Sequence, residues 1–295
     1  MKCFKNPKVA IISVIGVISV VLVCTLSIFD TTTTSLNIGQ SNNIGDSSMS
    51  IGDSKLPFKK SKVEATLKKH NINGYNSSGL INYTIIDNII DVPYIYQAIK
   101  YPTGCESVSA TSVLQYYGLD ISVDTFIDEY LPKAELEIIG YDYNDDKILS
   151  GMHPNEYFIG NPKSYSGLGC YQDTIASTIK AILKNYNLEE DFKVTSYDNL
   201  SINDIQSYLD NDIPVIVWAT QNLVPTQEGL HWYLGDTDAI FQYMKNEHCM
   251  VAIGYNDNYI YFNDTLVGRV AYPKSLLEER YIQMGSRSVV VECIG

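Results

Sequence analysis

The 295-residue sequence has few basic side chains, few histidines and no closely spaced cysteines. It holds 21 lysine and arginine residues against 34 acidic residues, for a net charge of −13. Nine of the lysines lie in residues 1–70 together with four acids, so the rest of the chain carries 12 basic and 30 acidic residues. An acidic body of this kind repels a phosphate backbone, and we therefore expect no nucleic-acid partner.

The usual signatures of a structural metal site are also missing. The six cysteines are irregularly spaced, without a C-x-x-C pair or a cysteine and histidine cluster at zinc-ligand spacing. We therefore expect no metal, and nothing in the sequence calls for a cofactor. A disulfide among Cys170, Cys249 and Cys293 stays open at this point.

The N-terminal segment has the pattern of an export signal. Lys2, Lys5 and Lys8 precede an uncharged run over residues 9–29, which is about long enough to span a bilayer as a helix. The next basic residue is Lys55, so the positive-inside rule places the N-terminus in the cytoplasm and the remainder outside. Because no A-x-A cleavage site follows, the pattern favours a single-pass signal anchor; cleavage would instead give a secreted protein.

The chain divides into three predicted parts. Residues 1–29 are the signal anchor or signal peptide, residues 30–79 a flexible tether and basic linker, and residues 80–295 a folded domain. The tether is rich in Thr, Ser, Asn and Gly and cannot build a core. Six lysines between Lys55 and Lys69 indicate a solvated linker helix. The alternatives are contact with anionic lipid or wall polymer, or a pro-segment that covers the domain.

The folded domain shows helical patterns first and strand patterns later, which is typical of an α+β domain with an antiparallel sheet. The predicted helices span residues 106–117, 123–131, 171–186 and 201–209, and the predicted strands span residues 214–219, 249–255, 259–263 and 288–293. Residues 81–97 are expected to be extended. Residues 133–170 are rich in Gly, Pro, Asn and Tyr and are expected to form a long irregular loop over one face.

Cys105 lies where a predicted loop becomes a predicted helix. The positive end of the helix dipole and the unpaired N–H groups there favour a thiolate, the nucleophile of cysteine-dependent enzymes. Glu106 opposes this, because a carboxylate beside the sulfur disfavours the thiolate unless it points away. A lone cysteine is more often a small core residue, so a catalytic role requires a base and an orienting acid.

His248 is the preferred base because it opens an apolar strand that turns and returns as residues 259–264. If this hairpin is centred on Asp257, Asp264 lies opposite Met250, diagonal to His248 and on the same face of the sheet. An acid would then stand beside the imidazole. A slip of one residue in the register would put Asp264 on the other face.

The other three histidines have weaker claims. His70 lies in the basic linker, and His153 lies in a turn where it needs no role. His231 precedes an aromatic pair in an expected loop, so it is a minor alternative as base and could instead help to bind substrate.

Gln97 is placed eight residues before Cys105, where its side-chain amide can donate to a developing oxyanion together with the Cys105 backbone N–H. The chain order also fits this chemistry. His248 follows Cys105 by 143 residues and Asp264 follows 16 later, a spacing close to that of papain-type enzymes, although the acid falls slightly beyond their range.

Several longer motifs resemble one family. Asp91-Val92-Pro93 through Gln97, followed by Tyr101-Pro102-Thr103-Gly104-Cys105-Glu106-Ser107, resemble the bacterial C-39-like cysteine peptidases, which are distant relatives of the double-glycine-leader peptidases of bacteriocin exporters. Further matches are Gly160-Asn161-Pro162, Gly169-Cys170-Tyr171, residues 214–220, His248-Cys249 and Gly254-Tyr255. The resemblance covers about residues 90–295.

The resemblance implies a papain-like α+β fold, with N-terminal helices packed on an antiparallel sheet. It also implies Cys105 as nucleophile, His248 as base, Asp264 as orienting acid and Gln97 in the oxyanion hole. The sequence departs from the family at Thr265, where relatives commonly carry proline after the acid, and this puts the local turn in doubt. The sequence shows no transporter domains, so cleavage of double-glycine leaders need not be its task.

We therefore expect a membrane-anchored, extracytoplasmic thiol hydrolase that cleaves an amide bond in a peptide or protein substrate. One alternative is a surface binding protein that keeps a papain-like shell with weak or no activity. The other is an acyltransferase that uses the same triad with an amine as acceptor, because hydrolysis and acyl transfer share every catalytic group.

Overall fold

An antiparallel sheet of six strands forms the centre of the structure, a computed structural model that describes residues 89–294. The helices are α1 (Cys105–Tyr116), α2 (Val123–Thr125), α3 (Gln172–Asn185), α4 (Ile202–Leu209) and α5 (Lys274–Gln283). The strands are β1 (Lys133–Ala134), β2 (Glu137–Tyr141), β3 (Lys147–Gly151), β4 (Phe158–Ile159), β5 (Phe192–Tyr197), β6 (Val215–Thr220), β7 (Gln227–Leu234), β8 (Ile240–Lys245), β9 (Glu247–Tyr255), β10 (Tyr259–Asp264), β11 (Gly268–Pro273) and β12 (Ser288–Cys293).

The central sheet runs in the order β11–β10–β9–β6–β12–β5, and every neighbouring pair is antiparallel. β6 and β9 lie in its middle, and β6 is buried along its whole length. Continuous apolar runs of this kind are typical of strands that are covered on both faces. The predicted α+β organisation is confirmed, and the predicted signal anchor, tether and basic linker lie outside the described residues.

Helix α1 is a central buried helix that begins at Cys105 and packs against β9 and α3. Its residues from Cys105 to Leu114 are all buried, and many of them are small. Small side chains allow the backbone of α1 to approach the sheet closely. Ser109 Oγ, for example, donates a hydrogen bond of 3.4 Å to the carbonyl oxygen of Cys249. The start of α1 is therefore fixed against the strand that carries His248.

The helix caps agree with their sequence signals. Ser201 accepts a hydrogen bond from the Asp204 N–H, and the Asp204 carboxylate accepts one from the Ser201 N–H, which completes a capping box. Ser122 caps α2 by accepting from the Thr125 N–H. The helix predicted over residues 123–131 is only three residues long as an α-helix and continues as a π-helical turn, Phe126–Tyr130.

Residues 133–170 contain four strands, so the prediction of a long irregular loop is wrong for this segment. β1 pairs with β4, and β2 and β3 join β7 and β8 in a second sheet in the order β2–β3–β7–β8. Much of this second sheet is exposed, with Ile138, Ile139 and Tyr141 of β2 open to solvent. Because the strands do not bury one face consistently, they lack the alternating pattern that identifies a strand from sequence.

The chain that precedes α1 is tied to β9 and β10 of the central sheet. The Ile90 N–H donates to the Ile253 carbonyl at 2.7 Å, and Asn263 Nδ2 donates to the Val92 carbonyl at 2.9 Å. The Gln97 N–H donates to the Thr265 carbonyl at 3.1 Å. These bonds bring Gln97 to the end of β10, next to Asp264.

Within residues 89–294, no helix combines the length and the hydropathy needed to cross a bilayer.

Candidate active site

Cys105 is the first residue of α1, as the sequence predicts. Gly104 precedes it as the N-cap and provides no side-chain cap. A Cβ atom on Gly104 would lie 3.0 Å from Tyr101 Cβ and 3.1 Å from Pro162 Cβ, so a larger residue would push these neighbours apart. The Gly160-Asn161-Pro162 motif therefore supports the turn that leads to the thiol.

The Cys105 thiol donates a hydrogen bond to Glu106 Oε2, with a sulfur to oxygen distance of 3.3 Å. Burial, followed by the negative charges of Glu106 and Glu247, raises the pKa of the thiol well above its ordinary value. A hydrogen bond from the backbone of Cys249 opposes this shift and does not cancel it. The expectation that the helix N-terminus favours a thiolate is therefore wrong for the resting protein, because the thiol is buried and Glu106 points toward the sulfur.

Glu106 is fully buried, and its second carboxylate oxygen is also engaged. The Cys170 N–H donates to Glu106 Oε1 at 2.7 Å. Burial raises the pKa of Glu106 to about 7, although the backbone hydrogen bonds, the Cys105 thiol and the charge of His248 oppose the shift. Glu106 therefore keeps its proton to a higher pH than an exposed glutamate.

Glu247, the residue before His248, is a second carboxyl group in the same place. Burial and the charge of Glu106 raise the pKa of Glu247 well above its ordinary value, and Arg287 counteracts this in part. Glu247 Oε1 is buried and has no hydrogen-bond partner among the described residues. Gly169 has a φ angle of +114°, and a Cβ there would lie 2.6 Å from a carboxylate oxygen of both Glu106 and Glu247. The glycine makes room for this carboxyl pair.

One group of possible metal ligands occurs in the part of the chain that the structure describes. Ligand atoms of Cys105, Glu106 and Glu247 all lie within 4.8 Å of one another. The group coincides with the candidate nucleophile and its hydrogen-bond partner, and acidic groups often cluster without an ion. We assign no metal to it.

The structure brings His248 and Asp264 together. His248 Nε2 and Asp264 Oδ1 are 2.9 Å apart, and both side chains are 2% exposed. Because Asp264 engages Nε2, any proton exchange with a thiol or a leaving group would use the other ring nitrogen, Nδ1. This is the arrangement that a cysteine nucleophile requires of its base and of the acid that orients the base.

Asp264 is held by donors on both carboxylate oxygens. Oδ1 accepts from the Leu266 N–H at 2.9 Å, and Oδ2 accepts from the Tyr272 hydroxyl at 2.8 Å. Burial alone would raise the pKa of Asp264, but the charge and hydrogen bond of His248 and the donors of Leu266 and Tyr272 outweigh it and lower the pKa. Asp264 is therefore an ionised carboxylate at neutral pH.

A bulge sets the register that faces Asp264 toward His248. Ile260 pairs with Tyr255 and Tyr261 with Gly254, and the pairing then shifts by one residue. After the shift Asn263 pairs with Val251, which is the register predicted for a hairpin centred on Asp257. Without the bulge, the register would turn Asp264 to the opposite face of the sheet.

Gln97 lies beside this acid, buried to 2% exposure. Its Nε2 donates to the Pro102 carbonyl at 3.2 Å, and its Oε1 accepts from the Thr265 hydroxyl. An amide nitrogen carries two N–H donors, so one remains for a substrate oxygen. The loop from Gln97 to Cys105 thus joins the predicted oxyanion donor to the predicted nucleophile.

Two further histidines, His153 and His231, lie in the described residues. His153 packs its ring against Phe241, with ring centroids 4.9 Å apart, and burial lowers its pKa. His231 is exposed and lies on β7, so the expectation of a loop at this position is wrong. His70 lies outside the described residues.

Tyr272 and Glu247 are two site residues that sequence reasoning misses. Tyr272 comes from β11, which carried no clear strand signal, and its contact with Asp264 depends on the fold. Glu247 directly precedes His248, so its place beside the candidate base was the one sequence signal that could have identified it.

Cys105, Cys170 and Cys249 are free thiols. No disulfide therefore joins any two of Cys170, Cys249 and Cys293. Cys170 contributes backbone groups instead, since its carbonyl accepts from Trp218 Nε1 at 2.9 Å and its N–H binds Glu106. The motif Gly169-Cys170-Tyr171 thus holds Glu106, the neighbour of the candidate nucleophile.

Comparison with known proteins identifies the family. Residues 89–289, more than half of the chain, match the Peptidase_C39 like family. The chain belongs to this family. The family predicted from the sequence motifs is therefore confirmed.

Two relatives agree with this membership over most of the domain. The uncharacterized protein YvpB of Bacillus subtilis (strain 168) is 27% identical over 209 residues, which cover 70% of this chain and 74% of YvpB. A crystal structure from Bacillus anthracis, of a protein named as a C39-like peptidase, is 26% identical with a TM-score of 0.58. That match covers 71% of this chain and 99% of the other.

A more distant likeness is to a double glycine motif protease from an AMS/PCAT transporter, solved in complex with the leader peptide. It is 14% identical with a TM-score of 0.40, and the match covers 71% of this chain and 96% of the protease.

Proposed function

We propose that the protein is a membrane-anchored, extracytoplasmic cysteine peptidase that hydrolyses an amide bond in a peptide or protein substrate. Cys105 is the nucleophile, His248 the general base and acid, and Asp264 the orienting acid. Gln97 and the Cys105 backbone N–H stabilise the oxyanion. Membership of the C39-like family supports a peptidase-like activity, and the geometry of these four residues supports their roles.

The buried pair of His248 and Asp264 is the observation that carries the proposal. Burying a carboxylate costs several kcal/mol, and apolar residues at such positions are often equally stable or more so. A protein that keeps the pair at 2% exposure beside the helix of a buried cysteine gains little stability from it. The pair is better explained by a proton transfer that it enables.

The proposed reaction begins when a peptide carbonyl reaches Cys105. The thiol proton passes to His248 Nδ1 as the sulfur forms a bond to the carbonyl carbon, and the oxygen becomes an oxyanion. The carbon to nitrogen bond then breaks, and the imidazolium gives its proton to the leaving amine. Asp264 holds the imidazolium by its Nε2–H throughout this step.

Hydrolysis of the resulting thioester completes the cycle. His248 removes a proton from water as the hydroxyl attacks the acyl carbon, and the sulfur leaves as the carboxylic acid product forms. The thiolate recovers its proton from His248. Each step therefore needs only groups of this chain and water.

The raised pKa of Cys105 determines the protonation state in which the cycle begins. The resting thiol is protonated and hydrogen-bonded to Glu106, so the protein does not maintain a thiolate before substrate arrives. Deprotonation by His248 then accompanies the attack. We expect the nucleophile to react slowly with small alkylating agents and faster with a carbonyl substrate that is bound in place.

The proposal is tested with the full-length protein in detergent or membranes and a peptide library analysed by mass spectrometry. The wild type is expected to cleave a subset of peptides, and Cys105→Ala is expected to cleave none. The near-ultraviolet circular dichroism of Cys105→Ala must match that of the wild type, which shows that the fold is intact. Undiminished cleavage by Cys105→Ala overturns the assignment of the nucleophile.

A papain-like binding protein with weak or no activity is the second candidate function. The protonated thiol beside two carboxyl groups favours it, because a like charge next to the sulfur opposes nucleophilic attack. A peptide with an electrophilic ketone separates the two candidates. An active enzyme is labelled at Cys105 with a rate that depends on His248, whereas a binding protein takes up the peptide without a covalent bond.

The proposed location rests on the sequence alone. Lys2, Lys5 and Lys8 before the uncharged residues 9–29 support a signal anchor with the domain outside the cytoplasm. Protease treatment of intact protoplasts tests this. The domain is expected to be degraded while a cytoplasmic marker survives, and full protection of the domain contradicts the proposal.

A further inference from the structure

Thr265 connects the residue that orients the base to the residue that is proposed to stabilise the oxyanion. It directly follows Asp264, and it is 3% exposed. Its carbonyl accepts from the Gln97 backbone N–H at 3.1 Å, and its hydroxyl donates to Gln97 Oε1. Backbone and side chain of Thr265 therefore both hold Gln97.

These contacts determine which way the Gln97 amide faces. The nitrogen and oxygen of a side-chain amide have nearly the same shape, so packing alone does not distinguish the two orientations. The Pro102 carbonyl accepts from Nε2 at 3.2 Å, and a carbonyl oxygen accepts only from the nitrogen. This leaves Oε1 toward Thr265, whose hydroxyl donates to it. Because a hydroxyl can donate or accept, the Pro102 carbonyl sets the orientation and the Thr265 hydroxyl holds the amide in it.

The orientation decides whether Gln97 helps or hinders the proposed reaction. In the observed orientation, Nε2 keeps one N–H donor beyond the bond to Pro102 and can offer it to an oxyanion. A flipped amide would present its oxygen to the developing negative charge and repel it. A freely rotating amide would lose conformational entropy when it became ordered during the reaction, and this loss would raise the barrier.

We propose that Thr265 is a positioning residue that locks the Gln97 amide with its nitrogen toward the oxyanion. The inference rests on the proposed function, in which Gln97 stabilises that oxyanion. Thr265 directly follows Asp264, the last residue of β10.

Thr265→Val is the matched substitution, because valine keeps the shape of threonine and removes the donor. We expect kcat to fall by about tenfold, less than the 10²–10³ that follows loss of an oxyanion donor itself, with KM changed by less than about twofold. Thr265→Ser keeps the hydroxyl and should recover most of kcat. A fall in kcat that serine does not rescue overturns the inference.

A double substitution separates positioning from general destabilisation. In a Gln97→Ala background the hydroxyl has no amide to orient, so adding Thr265→Val should lower kcat no further. The same factor in both backgrounds overturns the inference. Thr178→Val is the matched control, because the buried Thr178 hydroxyl of α3 donates to the Thr174 carbonyl at 2.7 Å; it should lower stability and leave kcat unchanged.

A readout without turnover keeps this inference distinct from the proposed function. The side-chain amide of Gln97 in ¹⁵N-labelled protein should show two separate, slowly exchanging N–H signals in the wild type and in Thr265→Ser. In Thr265→Val these signals should broaden or move together as the amide becomes mobile. Unchanged signals in Thr265→Val overturn the positioning role, whereas failure of every peptide to be cleaved overturns only the proposed activity.

Discussion

Two buried side-chain pairs meet at the proposed reaction centre, and their electrostatics are opposite. His248 and Asp264 are complementary, and every charge they carry faces a partner. Cys105 and Glu106 are both acids, and Glu247 adds a third. The difference indicates that the proposed base is already held in place by its partners. The proposed nucleophile stays protonated, and in the proposed reaction its proton moves to His248 only when a substrate is bound.

Removing the proposed base, His248, should have the largest effect on activity. We expect His248→Ala to lower kcat by more than about 10³-fold, since both proton transfers are lost. It also leaves Asp264 as a buried carboxylate without its main partner, which should lower stability by about 3 kcal/mol. Peptide cleavage and chemical denaturation measure the two effects. His231→Ala, on the exposed side of β7, is the control and should retain activity. A silent His248→Ala would mean that the base is misassigned.

Removing the charge of Glu106 should change the pH dependence of stability. The folded protein holds the Glu106 proton up to about pH 7, whereas an unfolded glutamate loses it near 4.5. The folded state therefore binds more protons in this range, and Glu106 makes stability fall as pH rises from about 4.5 to above 7.

Glu106→Gln removes this dependence. We expect the variant to match the wild type near pH 4.5 and to be more stable at pH 8, by at most about 3 kcal/mol. Urea titrations at several pH values measure the difference. Exposed Glu129→Gln should follow the wild-type profile. A Glu106→Gln profile that is parallel to that of the wild type contradicts the raised pKa.

Tyr272→Phe should weaken the complementary pair. Loss of the hydroxyl donor to Asp264 Oδ2 should cost about 1–2 kcal/mol at neutral pH and raise the pKa of Asp264. Since the lowered pKa stabilises the fold above it and not below it, the cost should shrink as pH falls through the Asp264 pKa. Tyr117→Phe is the matched control, because the Tyr117 hydroxyl donates to the neutral Val291 carbonyl, so its cost should not follow pH in this way.

The smallest expected effect is a change in the rate at which iodoacetamide alkylates Cys105. The wild-type thiol is expected to react slowly with iodoacetamide at pH 7 and faster as pH rises. Glu106→Gln should increase the rate severalfold, because it removes the neighbouring negative charge that opposes the thiolate. Equal rates in both proteins, measured by mass spectrometry at Cys105, would show that Glu106 does not control the thiol.

Parts of the fold that carry continuous apolar runs are predictable from sequence. β6 and β9 lie in the middle of the central sheet, and their segments were recognisable as strands. β2, β7 and β8 were not, because their exposed and buried residues do not alternate regularly. An alternating sequence pattern identifies a strand only when one face of the strand is buried. The second sheet has no consistently buried face, so its strands lack this pattern.

The residues of the candidate site also differ in how far they can be predicted from sequence. The His248 and Asp264 neighbourhood follows from one hairpin, although the bulge that restores its register cannot be read from the residues. The direction of Glu106 depends on the Cys170 N–H, 64 positions away in the chain. The burial of the Cys105 thiol and contacts of that range are both set by the tertiary fold, which is why the thiolate expectation from the helix start alone was wrong.

Site-mapped labelling of the full-length protein with an electrophilic peptidyl ketone tests the central claim most directly. We predict one adduct, on Cys105, that forms faster than alkylation by iodoacetamide and is lost in Cys105→Ala and strongly slowed in His248→Ala. An adduct on Cys170 or Cys249, or labelling of Cys105 at an unchanged rate in His248→Ala, would contradict a cysteine peptidase built on Cys105, His248 and Asp264.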